Sequence, residues 1–204
     1  ELHKRAEKKI ILEAISLIKP FDLGHSLIRV GGPTGDGGYL LPDVLDGIKY
    51  CFSPGVGLTS EFEAQIKKRG IKSFLADYTV DAPAAEDLFK FEKKFIKSYN
   101  SENSITFDDW IKNSVKPTDK DFLVQMDIEG SEYEVINSIS NSNLEKIKIM
   151  VIEFHHLQFL TNEVFLKNFI SVLKKLNNYF YINHIHPNNC CGITLVDDLT
   201  IPNV

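Results

Sequence analysis

Long apolar runs, a cysteine framework and an excess of positive charge are all missing from this chain, and each absence narrows what it can be. No uninterrupted hydrophobic stretch approaches the about 20 residues needed to cross a bilayer, and the first residues lack the apolar core of a secretion signal. Three cysteines cannot staple a chain of 204 residues; Cys51 lies in an apolar run, and Cys190 and Cys191 are adjacent. A reducing, cytoplasmic setting without membrane association is therefore expected. The formal net charge is -5, and Lys and Arg alternate with acids, so no basic stripe exists to hold nucleic acid and a small-molecule partner is the expectation. No repeat, low-complexity segment or linker divides the chain. With 43% hydrophobic residues it can bury a substantial core as a single domain over residues 1–204.

What is present is an ordered alternation. Apolar residues from Ala6 to Ile18 recur at helical spacing until Pro20 stops them. Residues 24–47, rich in Gly, Pro and Asp, read as a loop or small hairpin. Strands are then expected at 48–53, 71–76, 93–98, 121–127, 147–154 and 179–186. Helices are expected at 58–69, near 83–90, and at 107–113, 131–139 and 162–177. Strands separated by helical segments predict an α/β fold: a doubly wound, mostly parallel sheet flanked by helices. Ligands in such sheets bind beyond the carboxyl ends of the strands.

Those ends carry polar and titratable residues. Ile48–Asp77 reads as strand, Gly55-Val56-Gly57 turn, helix and second strand ending on an acid, a unit that lets backbone approach a nucleoside-containing cofactor. A dinucleotide site wants a third glycine where Ser60 stands; an S-adenosylmethionine (SAM) site needs only two; a plain strand-helix turn is the third reading. Met126-Asp127-Ile128-Glu129-Gly130-Ser131-Glu132 runs from strand into helix, with Ser131 read as the cap, Glu132 as serving the helix start, and Asp127 at the sheet mouth suited to a base, metal ligand or cofactor contact.

Val151-Ile152-Glu153-Phe154-His155-His156 ends the fifth strand. Alternation points one histidine into the cleft, and His155, which can take a hydroxyl proton, is favoured, with Glu153 buried and hydrogen-bonded. His184 and His186 share a face of the last strand, followed by Asn188, Asn189 and the paired cysteines; they suit a polar pocket better than a closed zinc site. Arg29, Asp36 and Tyr39 lie in the Gly-rich segment, whose Asp36-Gly37-Gly38 is a turn signal and which could close over a cleft. Thr106-Phe107-Asp108-Asp109 reads as a capped helix start.

In their order, Arg29-Val30-Gly31, Asp36-Gly37-Gly38-Tyr39, Ser53-Pro54-Gly55-Val56-Gly57, Thr106-Phe107-Asp108-Asp109, Met126-Asp127-Ile128-Glu129-Gly130-Ser131-Glu132, Ile152-Glu153-Phe154-His155 and His186-Pro187-Asn188-Asn189 resemble the FkbM-type SAM-dependent methyltransferases. The resemblance implies a class I methyltransferase fold, here with the last strand in question because little chain follows Gly192. It implies S-adenosyl-L-methionine as cofactor, and transfer to a hydroxyl of a sugar or nucleotide-sugar in glycan or natural-product biosynthesis. Carried over, Gly55 and Gly57 face the methionine moiety, Asp77 the ribose, and Ser98–Ser101 the adenine edge. Ser53, Tyr78, Ser98, Asn100 and Asp127 count among the cofactor contacts. Asp127 and His155 are the catalytic pair, and Arg29, Asp36, Tyr39, His156, His184, His186 and Asn188 face the acceptor. Related sugar enzymes hold a divalent metal with acids ending the fourth and fifth strands, where this reading finds only Asp127. An uncovered sixth strand would leave room for a homodimer. Three rivals stand beside this reading: a metal-dependent hydrolase built on Asp127, His155, His184 and His186, a non-catalytic SAM- or nucleotide-binding module, and an NAD-dependent enzyme.

Overall fold

In the computed structural model, which describes residues 5–33, 37–56, 60–82, 90–188, 192–196 and 198–203, helix α1 (Lys8–Leu17) is followed by a hairpin of β1 (Leu27–Gly31) and β2 (Gly38–Pro42). Next come β3 (Tyr50–Pro54), α2 (Glu61–Lys67), β4 (Lys72–Ala76), β5 (Lys90–Glu92), β6 (Phe95–Lys97), β7 (Ser104–Thr106) and α3 (Phe107–Ser114). The remainder is β8 (Phe122–Met126), α4 (Glu132–Ser138), α5 (Asn141–Leu144), β9 (Ile147–Ile152), a 3₁₀ turn (Leu157–Thr161), α6 (Glu163–Leu176), β10 (Ile193–Val196) and β11 (Leu199–Pro202). None of the described helices is long and apolar enough to cross a membrane.

Contacts divide the chain into two units, Gly24–Glu153 and the combination of Glu1–Leu23 with Phe154–Val204. In the first, five strands pair in the order β5-β4-β3-β8-β9, every pair parallel. The fold is α/β, a parallel Rossmann-like sheet flanked by helices, as the alternation predicts. The strand order reverses direction between β3 and β8, which makes the carboxyl ends of these two the switch point.

Alternation assigns each face its packing. Phe52 and Phe74 stack at 5.0 Å, and Trp110 and Phe122 meet Phe52 edge-on at 5.1 and 5.3 Å, an aromatic block on one side of the sheet. Cys51, Leu123 and Ile149 belong to the opposite core, with Phe62 and Ile66 of α2 and Val30 and Leu41 of the hairpin. Gln65 of α2 fastens the hairpin there. Its amide accepts from the Gly31 N–H at 3.1 Å and donates to the Gly31 carbonyl at 2.8 Å, imitating a ladder rung.

In the second unit, Asn162 Oδ1 accepts the Val164 and Phe165 N–H groups at 2.9 and 3.2 Å, and Lys174 and Lys175 end α6, so both helix termini are satisfied. β10 and β11 form an antiparallel hairpin of their own.

Two expectations fail, and a third lies outside the described residues. The strand expected at 93–98 is split: Lys90–Glu92 joins β4, the chain turns at Lys93-Lys94, and Phe95–Lys97 pairs with β7 in a separate two-stranded sheet. The helix expected near 83–90 falls at 83–89 outside the described residues, and Lys90 is strand. Residues 179–186 form no strand. Their pattern favours β structure, but Phe21 N–H donates to the Ile182 carbonyl at 2.7 Å and Asn183 Nδ2 to the Phe21 carbonyl at 3.3 Å, so the backbone finds a loop partner instead of a ladder.

Replacing Gln65 with Ala leaves both Gly31 groups without that partner. The expected cost is about 1–3 kcal/mol in denaturant unfolding, with faster amide exchange along Gly38–Pro42 than in α3.

Candidate active site

The β3 turn enters the switch point through a contact only glycine permits. Gly55 has φ 81°, and a Cβ there would lie 1.5 Å from the Asp127 carbonyl oxygen. The Gly55 N–H donates to the Ala76 carbonyl at 2.9 Å and the Asp127 N–H to the Pro54 carbonyl at 3.2 Å, so the turn is tied to the ends of both β4 and β8. Gly57 lies outside the described residues.

Asp77, the acid after β4, is buried and works within the protein: Oδ2 accepts the Val56 N–H at 3.1 Å, and Oδ1 accepts the Thr79 N–H and hydroxyl, each at 2.7 Å. It holds the β3 turn against the β4 tip. Tyr78 beside it packs on Phe95 at 4.9 Å, with the Lys93 ammonium 5.9 Å from its ring centre. Ser98 donates to Glu134 at 3.2 Å. Asn100 uses both ends of its amide, donating to Asp109 at 2.6 Å and accepting the Thr106 N–H at 2.8 Å. The Asn100 bond first, and then one that the Thr106 hydroxyl donates to Asp109 at 3.2 Å, hold the Asp109 carboxyl below its ordinary range. Thr106 caps α3 as expected, accepting the Asp109 N–H at 3.2 Å.

After β8 the chain makes a tight loop with Glu129 at φ 55° and Gly130 at φ 98°. The fully buried Glu132 carboxylate turns back and accepts the Ile128 and Gly130 N–H groups, both at 3.1 Å, so it serves the helix start by pinning this loop. Ser131, expected as a side-chain cap, makes no cap bond: its hydroxyl accepts from the Lys97 ammonium instead.

Period-two alternation places Ser53 of β3, Gln125 and Asp127 at the end of β8, and Glu153 after β9 on one face of the sheet. Tyr39 of the hairpin closes over them. Its hydroxyl donates to Glu153 Oε2 at 3.0 Å, lies 3.4 Å from Asp127 Oδ2, and is 3.5 Å from Gln125 Nε2. Burial above all, then the charges of Asp127 and Glu153, push the phenol well above its ordinary value of 10.0. Tyr39 is thus a fixed proton donor beside two carboxylates. The acid missing from the end of the fifth strand is Glu153: β9 stops at Ile152, before the histidines.

Arg29 donates to the Gly32 carbonyl at 2.7 Å in the hairpin, and Asp36 lies outside the described residues. In the other unit His155 is buried, while His156 is exposed with φ 65° and opens the 3₁₀ turn. Strand alternation does not apply to them. His184 and His186 stack at 6.3 Å, and burial, then the His186 ring, hold His184 below the ordinary histidine range. Asn188 is half-buried in the irregular segment after α6, and Asn189, Cys190 and Cys191 lie outside the described residues. Asp127 and His155 fall in different units. Gln125 carries no motif signal, and only strand parity counted back from Asp127 would have found it.

A Gly-dependent turn at the switch point of a parallel sheet, with acids at the neighbouring strand ends, is the ligand-binding end of a Rossmann-like sheet. The family model described as "Methyltransferase FkbM domain" matches residues 48–181, from just before β3 to Tyr181, and the chain belongs to that family. It is a methyltransferase. No curated protein matches the chain. No solved structure matches it either.

Two outcomes follow. Gly55→Ala forces both a positive φ on a side chain and a collision with backbone, so a loss of at least about 2 kcal/mol is expected in chemical unfolding. Because the folded phenol holds its proton more tightly than the unfolded one, the stability Tyr39 provides is complete below pH 10.0 and is lost as pH rises through its folded value. Tyr39→Phe should therefore flatten the alkaline limb of a stability-pH curve. At neutral pH it should cost about 1.5–3 kcal/mol through the lost bonds to charged acceptors.

Proposed function

We propose that this methyltransferase takes its methyl group from S-adenosyl-L-methionine and transfers it to a hydroxyl oxygen of a small acceptor, a sugar or nucleotide-sugar, in glycan or natural-product biosynthesis. The family match over residues 48–181 carries the reading. The place of the Gly55 turn supports the cofactor: it stands at the switch point of the sheet, where nucleoside ligands lie in this architecture. Gly55 would bear the methionine half, Asp77 the ribose, and Tyr78, Ser98 and Asn100 the adenine side, while Ser53, expected as a cofactor contact, is fully buried and turned toward Gln125. When bound, the cofactor supplies an electrophilic methyl on a sulfonium centre.

The protein's own contribution is alignment and proton uptake. Holding the acceptor in place within a dry pocket can supply about 7–11 kcal/mol of the barrier. The acceptor hydroxyl gives its proton to Asp127 or Glu153, and Tyr39, itself protonated, donates to Glu153 and lies 3.4 Å from Asp127, steadying the pair. His155 stands as a second candidate base, tested by its own substitution. A cation between Asp127 and Glu153 would compete with the Tyr39 hydroxyl for the same oxygens, so metal dependence is read directly by adding Mg²⁺.

Calorimetric titration with S-adenosylhomocysteine, with and without Mg²⁺ and beside NAD, is expected to give saturable binding of the homocysteine nucleoside and none of NAD; no binding to folded protein overturns the cofactor assignment. With labelled SAM and a panel of sugar acceptors, Asp127→Asn is expected to lower kcat by about 10²–10⁴-fold. Unchanged turnover removes Asp127 as the base.

A further inference from the structure

Behind Tyr39 a line of polar groups runs inward to a carboxyl that no step above uses. Glu63, in the first turn of α2, is 3% exposed; Ser53 is 0% and Gln125 5% exposed. Ser60-Phe62-Glu63 has the spacing of a capping box, yet Ser60 makes no side-chain cap bond, and the Glu63 carboxyl meets the Ser53 hydroxyl instead. Ser53 Oγ also lies 2.6 Å from Gln125 Oε1. One hydroxyl has one proton, while an ionised carboxylate and an amide oxygen both need to receive one.

With the Tyr39 proton on Glu153, the shorter of its carboxylate contacts, two proton arrangements follow. If Glu63 is ionised, Ser53 donates to it and the Gln125 amide must turn to offer its nitrogen. The amide oxygen then faces the Tyr39 oxygen, whose single proton is already given to Glu153, and a charge remains in a dry site. If Glu63 is protonated, every link has one donor and one acceptor: the Glu63 O–H donates to Ser53, Ser53 to Gln125 Oε1, Gln125 Nε2 to Tyr39, and Tyr39 to Glu153. Burial, which outweighs the bonds from Ser53 and from the Glu63 N–H, pushes the Glu63 carboxyl up. The Cys51 thiol, buried on the same face, is pushed up as well, first by burial and then by Glu63, so it supplies no opposing charge.

We propose that Glu63 is a neutral carboxylic acid heading a one-way hydrogen-bond chain from Glu63 through Ser53, Gln125 and Tyr39 to Glu153, and is thereby a positioning residue for the Tyr39 proton. Its value to catalysis rests on the methyl-transfer reading above; its protonation state does not. Carbon-13 NMR of glutamate-labelled protein is expected to show one side-chain carboxyl signal that keeps the protonated-acid position through neutral pH and disappears in Glu63→Gln. A Glu63 signal at the carboxylate position at pH 7 overturns the proposal.

Stability supplies a second reading. The folded state retains a proton that the unfolded chain releases above its ordinary value of 4.5, so between 4.5 and the folded-state value this group lowers wild-type stability as pH rises, a contribution that Glu63→Gln lacks. The ratio of their folding constants should change about tenfold per pH unit in favour of the glutamine variant, and a flat ratio contradicts a neutral Glu63. For the positioning role, the Tyr39 ring-carbon signal next to the hydroxyl should stay in place in Glu63→Gln, which preserves the donor, and move in Ser53→Ala, which cuts the chain. A Tyr39 signal indifferent to Ser53→Ala shows that the phenol is held without it.

Discussion

The passage of the β3 turn against the end of β8 is the constraint on which the rest of the first unit depends. Gly55 brings its backbone within contact of the Asp127 carbonyl, closer than any side chain allows. That approach, with the bonds from Gly55 to Ala76 and from Asp127 to Pro54, sets the tips of three neighbouring strands at one level. Residues 53, 125, 127 and 153 share a face because side chains alternate along strands held in this register. The Asp127 N–H held on Pro54 and the Glu153 N–H held on the Met126 carbonyl at 2.9 Å bring both acids within reach of one phenol.

The same face is otherwise apolar, with Cys51, Leu123 and Ile149 beneath and Val30, Leu41, Phe62 and Ile66 above. Polar groups in such surroundings are costly unless each donor and acceptor is matched, about 1–3 kcal/mol for each that is not. The hairpin resolves this for the outer part by bringing Tyr39 over the carboxylates, and α2 for the inner part by bringing Glu63 to Ser53. Gln65, on the same helix, fastens the hairpin. A helix and a hairpin that look like scaffolding thus decide where the site's protons lie.

Much of this was legible in the residues. The alternation of apolar runs with helical segments predicts a parallel α/β sheet; Gly55, Asp77, Asp127 and Glu132 stand out because special backbone or strand-end chemistry leaves a local mark. The strand expected at 93–98 was misplaced because two consecutive lysines interrupt a pattern that hydropathy alone runs together. Residues 179–186 alternate as a strand should, and only the bonding of Phe21 to Ile182 and Asn183 shows what their backbone does instead. The histidines looked like the end of the fifth strand because a strand boundary one or two residues early leaves no trace in composition; the acid that reaches Tyr39 is Glu153.

By itself the sequence determined the class of the molecule: the parallel sheet, the glycine turn at its switch point and the acids at its strand ends, all of which follow from patterns within a few residues of each other. Tertiary structure alone decided the partnerships. Tyr39 lies 114 positions from Glu153 along the chain, Ser53 lies 72 from Gln125, and Gln65 lies 34 from Gly31. No local pattern encodes such pairs, because hydrogen-bond partners across a sheet are chosen by strand order and register, which exist only once the strands have paired.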